Sequence, residues 1–167
     1  APVRLESLRK GAVGADEHRG LIYRRDLEGL PTVLFLNLET GLVPVARSLF
    51  ETWGERPSAL FRIALSNVRR EVKPERGEVD LGGGRKGIVL RPDSDLTAAY
   101  AYSLGTVPGA SGKLGSLFAI PHSRCIVACA AEAPEDLECV PQLVEKAGRS
   151  RESAGTTASI DVYHWNG

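Results

Sequence analysis

Apolar positions along the chain fall into short β-prone runs set off by turn signals and into stretches of helical spacing. Leu21-Ile22-Tyr23 is β-prone, and after the turn signal Glu28-Gly29-Leu30-Pro31 comes Thr32-Val33-Leu34-Phe35-Leu36-Asn37-Leu38. The second run is nearly continuous in apolar residues, as a central strand would be, and the two predict a hairpin. Glu39-Thr40-Gly41 is a further turn, and Leu42-Val43-Pro44-Val45 predicts an edge strand because Pro44 cannot donate to a ladder. A second hairpin is expected from Glu78-Val79-Asp80-Leu81 and Gly87-Ile88-Val89-Leu90 around a glycine-rich turn. Ser116–Pro121 and Arg124–Ala130, joined through His122-Ser123, predict a third. The alternation from Ala158 to Trp165 predicts a last strand that closes the sheet.

Helical spacing is clearest from Pro57 to about Val72. Phe61, Ala64, Leu65, Val68 and Val72 recur with a 3.6-residue period while Arg62, Arg69, Arg70 and Glu71 face away. Further helices are expected around Ala46–Trp53, over 93–104 with Asp93 or Ser94 as cap, and from Pro134 to about Lys146 with a new turn starting at Pro141. Residues 1–18 are helix-capable around Leu5 and Leu8 and then break at Gly11 and Gly14, which suggests a frayed or peripheral N-terminal segment. The fold class this predicts is α+β, a mainly antiparallel sheet built from hairpins and covered by helices, in a single domain over 1–167.

The 167 residues are 43% hydrophobic and 25% charged, enough apolar material for a core, which excludes disordered, collagen-like and fibrous classes. The 21 basic and 21 acidic side chains cancel, so no global field draws the chain to nucleic acid or an anionic membrane. No apolar run reaches the roughly 18 to 20 residues of a membrane span. Val3-Arg4-Leu5-Glu6-Ser7-Leu8-Arg9-Lys10 mixes charge with leucine where a secretory signal would be apolar. Cytoplasmic localisation is expected, and the odd number of cysteines, three, fits reduced thiols. The absence of methionine is compatible with removal of an initiator before Ala1.

Candidate chemistry is thin. Gly82-Gly83-Gly84-Arg85-Lys86-Gly87 satisfies G-x-G-x-x-G, yet a dinucleotide site needs a helix N-terminus after the loop and here a β-prone run follows. A hairpin tip is the expected reading, with phosphate or nucleic-acid contact through Arg85 and Lys86 as the alternative. Ser111-Gly112-Lys113 lacks both the first glycine and the metal-binding hydroxyl of a Walker A loop. His122, Cys125 and Cys129 invite a metal reading, but Cys139, His18 and His164 complete no paired spacing, so no metal and no cofactor are expected. A Cys125–His164–Asp161 triad can be drawn without support from spacing, and no catalytic residue is assigned. Arginine supplies 16 of the 21 basic residues, with clusters at Arg24-Arg25 and Arg69-Arg70. The candidate binding residues are Tyr23, Arg24 and Arg25 on the first hairpin, Arg85 and Lys86, and His122 with Arg124.

Three stretches, Gly29-Leu30-Pro31-Thr32-Val33-Leu34-Phe35-Leu36, Ala64-Leu65-Ser66-Asn67-Val68 and Phe118–Val127, together resemble the YtpQ-like bacterial proteins, a family of unknown function. That family shows an apolar strand after G-L-P, an A-x-x-N-L helix and a P-x-R-D-like turn. The resemblance would run from about Leu21 to Val144. Here an extra residue separates Pro121 from Arg124 and Cys125 stands in the aspartate position. The resemblance implies an α+β domain in a soluble bacterial protein and attaches no activity to it.

The expected function is a non-catalytic binding domain acting through protein–protein interaction, immunity- or antitoxin-like in one version, with another protein as partner and neither membrane nor nucleic acid. The alternative is a small bacterial enzyme, a hydrolase or nucleotide-handling protein, using loops near His122 and Arg124.

Overall fold

The computed structural model describes residues 3–7, 20–27, 30–91, 96–154 and 161–166. The chain divides into two compact units, Ala1–Val72 and Lys73–Gly167. Every strand pair in both is antiparallel, and the fold is α+β as the hairpin-length connections predict.

The first unit contains β1 (Val3–Ser7), β2 (Tyr23–Leu27), β3 (Leu30–Leu38), β4 (Gly41–Pro44), α1 (Arg47–Glu51) and α2 (Pro57–Glu71). β3 is the hub: β1 pairs with it, and β2 and β4 pair with its first and second halves. Its apolar run is explained by this position, with Val33, Leu34 and Phe35 buried. β1 corrects the helix-capable reading at Val3–Ser7. Leu5 and Leu8 fit a helical turn locally, but the Val3–Ser7 backbone completes a five-residue ladder on β3, and that non-local pairing overrides local propensity. Residues 8–19 lie outside the described residues. α2 follows its stripe, with Phe61, Ala64, Val68 and the adjoining Val72 buried. Pro57 occupies its first turn, where a missing N–H costs nothing, and Pro74 disfavours helical geometry at Lys73 just beyond its end.

The second unit contains β5 (Glu75–Asp80), β6 (Lys86–Arg91), a 3₁₀-helix over Thr97–Thr106, β7 (Ser116–His122), β8 (Cys125–Ala130), a 3₁₀-helix over Pro134–Cys139, α3 (Val140–Ser153) and β9 (Val162–Trp165). Its sheet runs β5-β6-β8-β7-β9. The helix expected over 93–104 is a 3₁₀-helix with Leu96 before its first turn. Asp93 and Ser94 lie outside the described residues. Alternation along the strands feeds two layers. Ile88, Leu90, Phe118 and Ile126 are buried on one face, where the Thr97–Thr106 helix meets β7 and β8 and Tyr102 stacks edge-on against Trp165. Leu117, Cys125, Val127 and Cys129 pack on the other face against Leu143 of α3. Pro141 opens α3 as expected, and the helix continues to Ser153. Gly115 has φ +99° and lies so close to the Trp165 backbone that a Cβ there would collide with β9.

Candidate functional site

The β7–β8 hairpin ends in the Ser123-Arg124 turn, preceded by a register shift between Ala119 and His122 that contains Pro121. Proline cannot donate to the ladder, and a bulge beside it bends the strand end. His122 and Cys125 face each other across the turn. On α3, Leu143 and Ala147 form the buried stripe, while Lys146, Arg149, Ser150 and Ser153 run along its flank at helical spacing. Between that flank and the sheet lies a cleft of about 470 Å³ lined also by Arg91, Arg124 and the apolar Val79, Val89 and Val127.

Three side chains form a hydrogen-bonded relay at the cleft wall. The Arg124 backbone N–H donates to His122 Nδ1 at 3.3 Å, so the neutral ring carries its proton on Nε2. Nε2 lies 3.4 Å from Ser150 Oγ, and the Ser150 hydroxyl donates onward to Cys125 Sγ at 3.5 Å. Burial pushes the Cys125 thiol up, and the Ser150 hydrogen bond and the nearby Arg91 charge offset this only in part. In this arrangement Nε2 is a donor to Ser150 and not a base toward it, and Cys125 is held as a thiol.

Charge in the cleft is one-sided. Among the described residues, Arg91, Arg124, Lys146 and Arg149 line it against a single carboxylate, Glu78. Glu78 accepts a hydrogen bond from Lys86 at 3.0 Å, and that bond with the ammonium charge holds its carboxyl below the ordinary range. Arg149 pairs with Glu145 one helical turn away. Among the described residues Arg91 and Lys146 form no ion pair.

The structure gathers some sequence candidates and separates others. His122 and Arg124 come together in the cleft. Arg85 tethers the Pro134–Cys139 helix, reaching Asp136 at 3.4 Å, Glu138 at 3.3 Å and the Glu135 carbonyl at 3.1 Å, and Lys86 is engaged by Glu78. Tyr23 and Arg25 share one face of β2, with the guanidinium 5.6 Å from the ring centroid. Arg24 turns the other way, 4.8 Å over the buried Phe61 ring and hydrogen-bonded to Asp26, so it serves the packing of α2. Arg91, Lys146 and Ser150 had no sequence signal that tied them to His122, although the i, i+3, i+4, i+7 spacing of Lys146, Arg149, Ser150 and Ser153 marks a polar helix flank. Among the described residues no group of three or more His, Cys, Asp or Glu side chains is placed to hold a metal ion, and no helix is long and apolar enough to cross a membrane.

No family model, curated protein or solved structure matches the chain.

Proposed function

We propose that the chain is a non-catalytic binding domain acting through a partner protein, and that the cleft of the second unit takes acidic side chains of that partner. The observation that carries this reading is the pair Arg91 and Lys146, two cations on one cleft with no ion pair among the described residues and apolar valines between the walls. Arginine at such a position binds a carboxylate through two parallel N–H bonds, and it is the charged residue most often found at interface hot spots. Apart from the buried Cys125, the polar lining is exposed or half-buried. Small-molecule pockets instead enclose most of a ligand around a few fixed polar groups, so this construction fits a macromolecular surface better. An immunity- or antitoxin-like role is one form of this proposal, with the cleft receiving carboxylates from a partner's working site.

The alternative, a small hydrolase working from His122 and Arg124, draws on the Ser150–His122 contact. It requires Nε2 to lose its proton, which the Arg124 amide on Nδ1 opposes. Affinity capture from native lysate separates the two. Stoichiometric protein retained by the native chain and lost by an Arg91→Glu/Lys146→Glu variant is the expected result. Equal retention by both removes the cleft from the account, and a co-purifying nucleotide in place of protein favours the enzyme.

A further inference from the structure

Deeper in the interface between α3 and the sheet, Cys129 Sγ and Cys139 Sγ lie 3.1 Å apart. Cys129 belongs to β8, and Cys139 ends the Pro134–Cys139 helix immediately before α3. Both are buried free thiols within an apolar cluster that includes Leu81, Leu117 and Leu143. The third cysteine, Cys125, belongs to the same apolar cluster but lies four residues before Cys129 on β8, where its sulfur accepts from Ser150. Two sulfurs in direct contact need to close by only about 1 Å to reach the roughly 2.05 Å of a disulfide. The cleft and its relay make no use of this pair.

We propose that Cys129 and Cys139 are a redox modification site, forming a reversible disulfide with hydrogen peroxide as oxidant and so stapling β8 to the head of α3. One sulfur attacks a peroxide oxygen, the O–O bond breaks, and the thiol becomes a sulfenic acid with release of water. The neighbouring sulfur then attacks the sulfenic sulfur, the S–S bond forms and the S–O bond breaks. The departing hydroxide takes the second thiol's proton and leaves as water. In balance, two thiols and one peroxide give one disulfide and two waters.

The resting pair is quiet for a physical reason. Burial, with the Cys139 sulfur adding to it, pushes the Cys129 thiol well above the ordinary thiol range. Entry for the oxidant is provided by the connecting segment. Pro134, Glu135, Leu137 and Glu138 are exposed on a 3₁₀-helix, whose hydrogen bonds are less well formed than those of an α-helix and which opens more readily than the sheet beneath it. This inference is independent of the partner-binding reading.

The test treats the folded full chain with hydrogen peroxide, unfolds it in a thiol-alkylating reagent, and maps the cysteines by non-reducing peptide mass analysis. The expected result is a fall from the three thiols of the sequence to one, the survivor being Cys125, with a dithiothreitol-reversible link between the Cys129 and Cys139 peptides. A Cys125→Ala variant, which leaves the pair intact, should form the same link. Three thiols surviving, a link through Cys125, a link between two chains, or separate over-oxidation of Cys129 and Cys139 without a link would each overturn the proposal.

Discussion

The Ser150 hydroxyl stands between His122 and Cys125, 3.4 Å from Nε2 of one and 3.5 Å from Sγ of the other. That position ties the β7–β8 turn to α3 and fixes the direction of the relay, from ring N–H through hydroxyl to thiol. A Ser–His contact of this length is a catalytic signature only when the ring accepts, and here the backbone has already taken the other nitrogen. Ser150→Ala should therefore leave the fold intact and cost about 0.5 to 1.5 kcal/mol, the range for one hydrogen bond in a half-buried setting. It should also slow Cys125 toward a thiol reagent, since the lost hydrogen bond was lowering the thiol's pKa. Chemical denaturation and reagent kinetics on the folded chain read both effects, and faster labelling of Cys125 would contradict the relay.

Asp136 caps the Pro134–Cys139 helix by accepting from the backbone N–H groups of Ala133 at 3.0 Å and Glu132 at 2.8 Å. These bonds, with Arg85 behind them, hold its carboxyl below the ordinary aspartate value of 3.8. A carboxylate depressed on folding contributes stability that is complete above its unfolded pKa and is lost as pH falls through that value toward the folded one. Below about pH 4 the native chain should thus lose the part of its melting temperature that Asp136→Asn lacks at neutral pH. Melting curves of both proteins from pH 7 to pH 3 should converge, and a constant gap would remove Asp136 from the account.

Phe61 is almost wholly buried on α2 and carries the Arg24 guanidinium on its ring. Phe61→Ala should destabilise by about 3 to 5 kcal/mol through the lost transfer energy and the cavity left behind. A denaturant titration of the full chain measures this, and a shift below about 1 kcal/mol would show that the ring is not packed as described.

Gly115 offers a sharper geometric test. An alanine there would need an unfavourable φ and would place its Cβ against the Trp165 carbonyl. Gly115→Ala should release β9 from β7, seen as loss of amide exchange protection over Val162–Trp165 with protection retained in β6 and β8. Unchanged protection of β9 would contradict the close approach.

The fold was legible wherever one local rule acted alone. The three hairpins, the α2 stripe and the restart at Pro141 each rest on turn chemistry or periodicity within a dozen residues. β1 was not legible because its partner β3 lies about thirty residues away and its own spacing also suits a helical turn. At the candidate site, His122 and Arg124 stand together in one turn, so the sequence displays them as neighbours. Arg91 comes from β6 and Lys146 and Ser150 from α3, and only the antiparallel register and the packing of α3 on the sheet bring them together. The Cys129–Cys139 contact escaped for the same reason: the intervening 3₁₀-helix folds the chain back on itself, and spacing alone does not show that.

If the cleft binds a partner's acidic groups, the captured partner should lose affinity for the Arg91→Glu/Lys146→Glu variant, with Arg25→Glu as comparison. Calorimetry on folded variants should show a loss of at least about 2 kcal/mol for the cleft variant, roughly 30-fold in affinity, and less than about 0.5 kcal/mol for Arg25→Glu. Unchanged affinity in the cleft variant, the reverse order of the two losses, or no stoichiometric protein retained by the native chain would contradict binding at the cleft.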